Sequence, residues 1–142
     1  MPGKIELDVW GRILMSPANN QHAAIQGRLI RRLGALGGET LAEASVATRA
    51  GLLVADVAWL SAESFRSTGL QTPFMRAPEL CVEVVSPSSS RKELDEKVVA
   101  YLEAGAVEVW IVYPQGKRIE RFGRAGPLDR SQFEADLQGL FD

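Results

Sequence analysis

Two acidic residues stand alone inside apolar runs: Asp56 in LLVADVAWL (Leu52 to Leu60) and Glu83 in LCVEVVSPS (Leu80 to Ser88). An ionised carboxylate in such surroundings costs several kcal/mol unless something compensates it. One such residue is often a hydrogen-bonded structural group. Two, in successive core strands and at similar depth, ask for a common reason. On neighbouring strands their like charges would raise each other's pKa unless a cation sits between them. A divalent metal resolves that conflict, and hard cations favour carboxylate oxygens. Lys97 is the third candidate. It lies in the helix after the Ser-rich turn, where Leu94, Val98 and Leu102 make the core stripe and Lys97 and Tyr101 line a neighbouring face. A lysine there can lean back over the strand end, orient or deprotonate a water, and offset charge on a transferring phosphate. The plainer reading is a solvated helix lysine.

Composition narrows the chemistry. The chain has 142 residues, the size of one domain with one core, here read as a single domain over 1–142. One Cys and one His cannot supply a Cys/His zinc site of ordinary ligand count, so a metal here would be oxygen-bound, magnesium or manganese. Cys81, in an apolar run, reads as a buried packing residue. A net charge of −2 and a pI near 5.5 argue against a general nucleic-acid coat, though not against a local basic patch. No apolar run approaches the roughly 18 residues of a membrane span, and MPGKIELDVW lacks an apolar stretch of signal-peptide length. The expectation is a cytoplasmic protein without membrane contact.

These side chains need a scaffold, and the pattern supplies one. Lys4 to Val9, Trp10-Gly11 and Arg12 to Met15 predict an N-terminal β-hairpin. Ser16 to Asn20 reads as loop, with Asn20 as N-cap of a helix from Gln21 to about Leu36 whose core face is Ile25, Leu29, Leu33 and Leu36. Gly37-Gly38 ends it. Glu39 to Thr48 and Leu52 to Leu60 follow, the second apolar almost throughout, as a strand covered on both faces is. Ala62 to Pro78 reads as a long loop with at most one helical turn, and Glu79 to Ser86 as a strand. Ser90 and Glu93 fit a capping box for a helix to about Ala104, stopped by Gly105. Val107 to Tyr113 and Lys117 to Phe122 pair across Pro114-Gln115-Gly116, and the tail is loop with a short element near Phe133 to Leu140. That order predicts an α/β domain, a mixed β-sheet flanked by helices.

Asp56 and Glu83 on successive strands, with a lysine close behind, resemble the PD-(D/E)XK nuclease superfamily. Most of the chain is also similar to one bacterial branch, the restriction-endonuclease family long catalogued as a domain of unknown function. The matching stretches are IELDVWGRILMSP, His22, the Glu43 segment, VADVAWLS, PELCVEVVSPSSSRKELDEKVVAYLEAGAVEVWIV and Phe133 to Phe141. Asp95, Lys97, Tyr101 and Gly105 match its D-x-K-x-x-x-Y-x-x-x-G pattern, with one residue of latitude in the first gap. The resemblance implies a restriction-endonuclease-like fold and metal-dependent hydrolysis of DNA. Asp56, Glu83 and the Val84 backbone carbonyl would be metal ligands for Mg2+ or Mn2+, and Lys97 the catalytic lysine. Two departures stand out. Ala55 replaces the proline of the superfamily name, and Val85 occupies the E-x-K lysine position, which is how Lys97, displaced into the helix, enters. Activity therefore requires Lys97 to reach the carboxylates. A homodimer is expected from the nuclease class.

Other residues carry two readings. Glu43, on the strand before Asp56, is either a third carboxylate at the metal or a rim residue. His22 either contacts the site or caps and packs its helix. Arg28, Arg31 and Arg32 share a helix face that tracks phosphates or is simply solvated; Arg91 and Lys92 are a second basic candidate. Ser89-x-x-Lys92 matches a serine-lysine acylation motif by letter only, without its companions, and no phosphate-loop or dinucleotide glycine pattern occurs. The competing functions are a catalytically inactive nuclease fold acting as a dimerising or DNA-binding module, and a carboxylate-pair glycosidase. Contact between Lys97 and the carboxylates separates the last from a nuclease.

Overall fold

The run around Asp56 forms β4 (Gly51–Leu60), paired along its length with β3 (Glu39–Thr48) in an antiparallel ladder. The computed structural model describes residues 5–15 and 19–142. Lys4, where the hairpin was expected to begin, and the Ser16-Pro17-Ala18 part of the expected loop lie outside the described residues. The remaining elements are β1 (Ile5–Leu7), β2 (Ile13–Met15), α1 (Asn20–Gly34), α2 (Ala62–Thr68), β5 (Leu80–Val84), α3 (Arg91–Glu103), β6 (Glu108–Tyr113), β7 (Arg118–Gly123) and β8 (Gly126–Leu128). The sheet runs β2-β1-β4-β5-β6-β7-β8, with β3 branching off β4; β5 and β6 are parallel and the other neighbours antiparallel. It is the mixed sheet with flanking helices and N-terminal hairpin that the sequence predicts.

Both faces of the sheet are covered, which is why its central strands are apolar throughout. Ile25, Leu29 and Leu33 of α1 pack with Val57, Trp59, Val82, Val84 and Trp110 on one face. Leu94, Val98 and Tyr101 of α3 pack with Leu53, Cys81, Val109 and Ile111 on the other. Cys81 is fully buried, and burial pushes its thiol well above the ordinary range, with the Glu83 charge adding to the shift.

Local structure departs from expectation in four places. Asn19, not Asn20, caps α1, its side chain accepting from the His22 N–H at 3.1 Å. The expected loop over Ala62 to Pro78 holds two turns of helix, α2, because Ser61 caps it through the Ser64 N–H. The expected element near Phe133 to Leu140 is absent, and strand β8 forms earlier. Instead of regular structure, Phe133 and Leu140 use their side chains to close the core under α1. Finally, Tyr101 does not line a partly exposed helix edge; it is fully buried in the core stripe of α3, while Leu102 is only partly buried.

The fork in the sheet is what makes a site. Since β3 occupies one edge of β4 entirely, β1 and β5 share the other. β1 pairs at Leu52 and β5 pairs at Val57 to Trp59. Between them the edge of β4 opens into a notch at Leu53 to Asp56. Gly51 permits the junction: at φ +110 its Cα lies against the Leu7 carbonyl, and any Cβ would collide with it.

Candidate active site

Strand edges that diverge leave backbone N–H groups without ladder partners, and a buried orphan donor is costly. In the notch, carboxylates take that role. Glu6 Oε2 accepts from the Val54 N–H at 2.9 Å, and Asp56 Oδ2 accepts from the Val84 N–H at 2.8 Å, just beyond the end of the β4–β5 pairing. Continuing the register of Val57 opposite Val82 sets Asp56 beside Glu83, so the two acids do lie on neighbouring strands. All three carboxylates are buried, with Glu6 5%, Asp56 1% and Glu83 2% exposed.

Lys97 arrives. From α3 its ammonium reaches Glu6 Oε1 at 2.9 Å and Glu83 Oε1 at 3.4 Å. The Ser-rich segment steers it there: Ser89 Oγ accepts from the Ser86 N–H and Ser90 caps α3 through the Glu93 N–H. That turn folds α3 back over the end of β5. Glu83 Oε2 accepts a hydrogen bond from the Tyr101 hydroxyl at 2.8 Å. On the other side, His22 Nε2 lies 3.2 Å from Asp56 Oδ2, and the Gln26 side-chain amide donates to the Asp56 carbonyl at 2.7 Å. The cap at Asn19 fixes the first turn of α1 and thereby aims His22 at Asp56.

Val84 is placed as a backbone donor would need to be. Its N–H points to Asp56, and within a strand a residue's N–H and C=O face the same edge, so its carbonyl also faces the notch. The next residue, Val85, turns its N–H the other way, to Val112 on β6. Among the described residues no three His, Cys, Asp or Glu side chains converge to hold a metal ion by themselves.

Glu43 occupies the register slot facing Asp56, between the pairs Ala42–Val57 and Ala44–Ala55. Its side chain is exposed and its φ is +55°, the left-handed region that costs a non-glycine residue roughly 1–2 kcal/mol. Around this kink the alternation slips: Leu53 and Ala55 face α3, whereas Val57 and Trp59 pack against α1. Glu43→Gly is therefore expected to hold or raise the unfolding midpoint, and Glu43→Val to lower it, in thermal melts.

The basic candidates divide. Arg28 donates to the Leu140 carbonyl and Arg32 to the Asp136 carbonyl, both at 3.0 Å, so these two guanidiniums hold the C-terminal tail against α1. Arg31 is exposed on the same helix and Lys92 is exposed on α3. Arg91 binds the Tyr113 hydroxyl at 2.6 Å and Glu120 at 2.7 Å, and pairs with Asp95. None of these contacts is to the carboxylate cluster.

Two acids escaped the sequence reading. Glu6 sits on a three-residue strand with no apolar run around it to mark it, and its burial beside an exposed Ile5 is the reverse of what residue type suggests. Glu108, in VEVW, has the same sequence signature as Glu83. It instead accepts from Trp110 Nε1, the Ser131 hydroxyl and the Gln132 N–H, tying the tail to β6.

The chain's two tyrosines both keep their protons beyond the usual phenol range. For Tyr101 the cause is burial, then the Glu83 charge; for Tyr113 it is partial burial, then its hydrogen bond to Glu120. A raised phenol pKa stabilises the fold below the unfolded value of about 10 and loses that stabilisation as pH rises above it. Tyrosinate absorbance in the folded chain should thus stay low through about pH 10, then climb together with loss of the circular dichroism signal.

Residues 1–139 match the family Uma2, described as "Putative restriction endonuclease". The chain belongs to the Uma2 family. Membership supports nuclease function in general. The Uma2 fold of this chain is similar to that of a crystal structure described as a "putative nuclease belonging to DUF820" from Anabaena variabilis ATCC 29413, at a TM-score of 0.73 and 17% identity over 87% of this chain and 75% of that one. No curated protein matches the chain. Among the described residues of this Uma2 chain no helix is long and apolar enough to cross a membrane.

Proposed function

We propose that the chain is a divalent-metal-dependent endonuclease that hydrolyses DNA phosphodiester bonds. The observation that carries this reading is the Lys97 ammonium against Glu83 and Glu6, since Val85 stands where the superfamily lysine would be. Glu6 and Glu83 hold the ammonium, and Asp56 beside Glu83 with the Val84 carbonyl facing the notch offers hard oxygens of the type Mg2+ or Mn2+ takes. Asp56, Glu83 and Val84 would hold the ion, which when bound supplies Lewis acidity at the phosphate and acidifies a water.

The chain's own residues do the rest. Lys97 orients the attacking water and offsets the charge that builds on the phosphoryl oxygens. Glu6 keeps the ammonium in place, because its other oxygen is anchored on the Val54 N–H. Tyr101 fixes the rotamer of Glu83, and His22 that of Asp56. Glu43 belongs to the rim of the site in this reading, where its strained backbone meets Asp56. Arg31 and Lys92 are the exposed cations left to meet phosphates, with Arg91 nearby. Homodimerisation and a cytoplasmic setting belong to the same proposal, and sedimentation of the purified chain tests the first.

Purified protein should nick or cut plasmid DNA with Mg2+ or Mn2+ and not with chelator. A second reading has one observation in its favour: Glu6, Lys97, Glu83 and Tyr101 form an ion and hydrogen-bond network that also serves a non-catalytic, DNA-binding fold. Calorimetry separates the two. Heat of Mn2+ binding that disappears in Asp56→Asn supports the nuclease, and no metal heat in the parent chain supports the module. The glycosidase reading is disfavoured by the lysine among the carboxylates.

A further inference from the structure

A cleft of about 380 Å³ opens beside the carboxylate notch, at the end of the sheet where parallel β5 and β6 finish and α1 begins. Such carboxyl ends of parallel strands are where ligands commonly sit in α/β folds. His22 belongs to both places: it lines the cleft and lies 3.2 Å from Asp56. The cleft is also lined by Val85, Ser86 and Pro87, which directly follow the carbonyl of Val84. A group that fills it would lie next to one reacting at the notch.

The lining chemistry selects the occupant. Among the described residues no Asp, Glu, Lys or Arg lines the cleft; its polar side chains are amides (Asn19, Gln21, Gln115), hydroxyls (Ser86, Tyr113) and the His22 imidazole, whose Nε2 is turned to Asp56. A phosphate would call for cations or a run of backbone N–H groups, whereas amides match the donor and acceptor edges of a neutral heterocycle. One wall is pinned. The Tyr113 hydroxyl accepts from Arg91 and donates to Glu120, and the Arg118 guanidinium lies 3.8 Å over its ring. A fixed aromatic beside amides suits a flat base.

We propose that this cleft receives the nucleobase adjoining the scissile phosphate, turned out of the DNA stack, with Gln115 reading its edge. A cavity of this size admits a base and not a duplex groove, so the base must leave the stack to enter. The inference rests on the nuclease reading and adds to it a determinant of where the chain cuts.

The test is to cut a pool of randomised duplex DNA with the full chain in Mn2+ and sequence the ends. The parent chain should show a base preference of about tenfold at one position beside the cut, the scale of a single amide–base contact. Gln115→Ala, at an exposed turn residue, should flatten that preference among the cut ends to below about twofold. Gln21→Trp, a larger side chain at an exposed position lining the cleft, should cut intact duplex about tenfold more slowly but keep its rate on the same duplex with an abasic site at that position. A parent chain that cuts with no base preference, or variants that keep both preference and rate, overturn the cleft proposal and leave the nuclease standing. A parent chain that cuts no DNA with either metal overturns both.

Discussion

Replacing Glu83 with glutamine is expected to stop DNA cleavage and leave the chain folded. The substitution keeps an oxygen for the Tyr101 hydroxyl at almost unchanged volume, so the core around α3 is preserved. It removes one of the two carboxylates of the candidate metal set and one anionic partner of Lys97. A bound metal contributes several kcal/mol of transition-state stabilisation, and each 1.4 kcal/mol is tenfold in rate, so the loss should be at least about a hundredfold. Asp56→Asn should act likewise. Lys97→Met should lower the rate by about 10²- to 10⁴-fold, and Lys97→Arg should not rescue it, because a planar fork cannot replace a compact ammonium between Glu6 and Glu83. The measurement is single-turnover cleavage in Mn2+, with circular dichroism on every variant. Parent-level cleavage by Glu83→Gln would refute the assignment.

The second large effect is on stability and lies at the other end of the sheet. Glu108→Ala removes a buried carboxylate that accepts from Trp110 Nε1, the Ser131 hydroxyl and the Gln132 N–H. Hydrogen bonds to a charged group contribute about 1.5–3 kcal/mol each, and buried donors left without partners are penalised. A net loss of about 3–4 kcal/mol is expected, near a third of an ordinary domain's stability, with the melting midpoint lower by roughly 10 °C. Below its midpoint the variant should still cleave DNA within about twofold of the parent, since Glu108 touches no group in the notch. A variant that melts like the parent would show that the tail needs no such tie. Glu83 and Glu108 thus predict opposite outcomes, one losing activity at constant stability and the other losing stability at constant specific activity.

What could be read in advance followed from local periodicity. Apolar runs of strand length marked β4, β5 and β6, and a carboxylate inside such a run is legible because nothing local explains it. The capping serine and the stop at Gly105 gave the limits of α3, and with them a lysine one helix after the Glu83 strand. Non-local choices were hidden. Glu6 is set by a notch that exists only because β1 and β5 share one edge of β4, and no spacing within β1 encodes that. Glu43 carries no mark of its left-handed backbone, since Glu has no preference for it. Arg28 and Arg32 present a basic face in sequence, and only the path of the tail decides that they hold carbonyls.

The clearest division is between LCVEVV and VEVWIV. By itself the sequence set a carboxylate inside an apolar strand run in both, a signature read at Glu83 and passed over at Glu108. Which carboxylate stands beside Lys97 in the notch was decided by the tertiary structure alone. Glu83 lies at the fork, where diverging strands leave room for a lysine and an open edge, whereas Glu108 lies where the tail closes over it, Ser131 and Gln132 donating beside Trp110 of β6. Burying either charge is costly, and Lys97 and Tyr101 at Glu83, like Ser131 and Gln132 at Glu108, come from distant segments that only folding brings there.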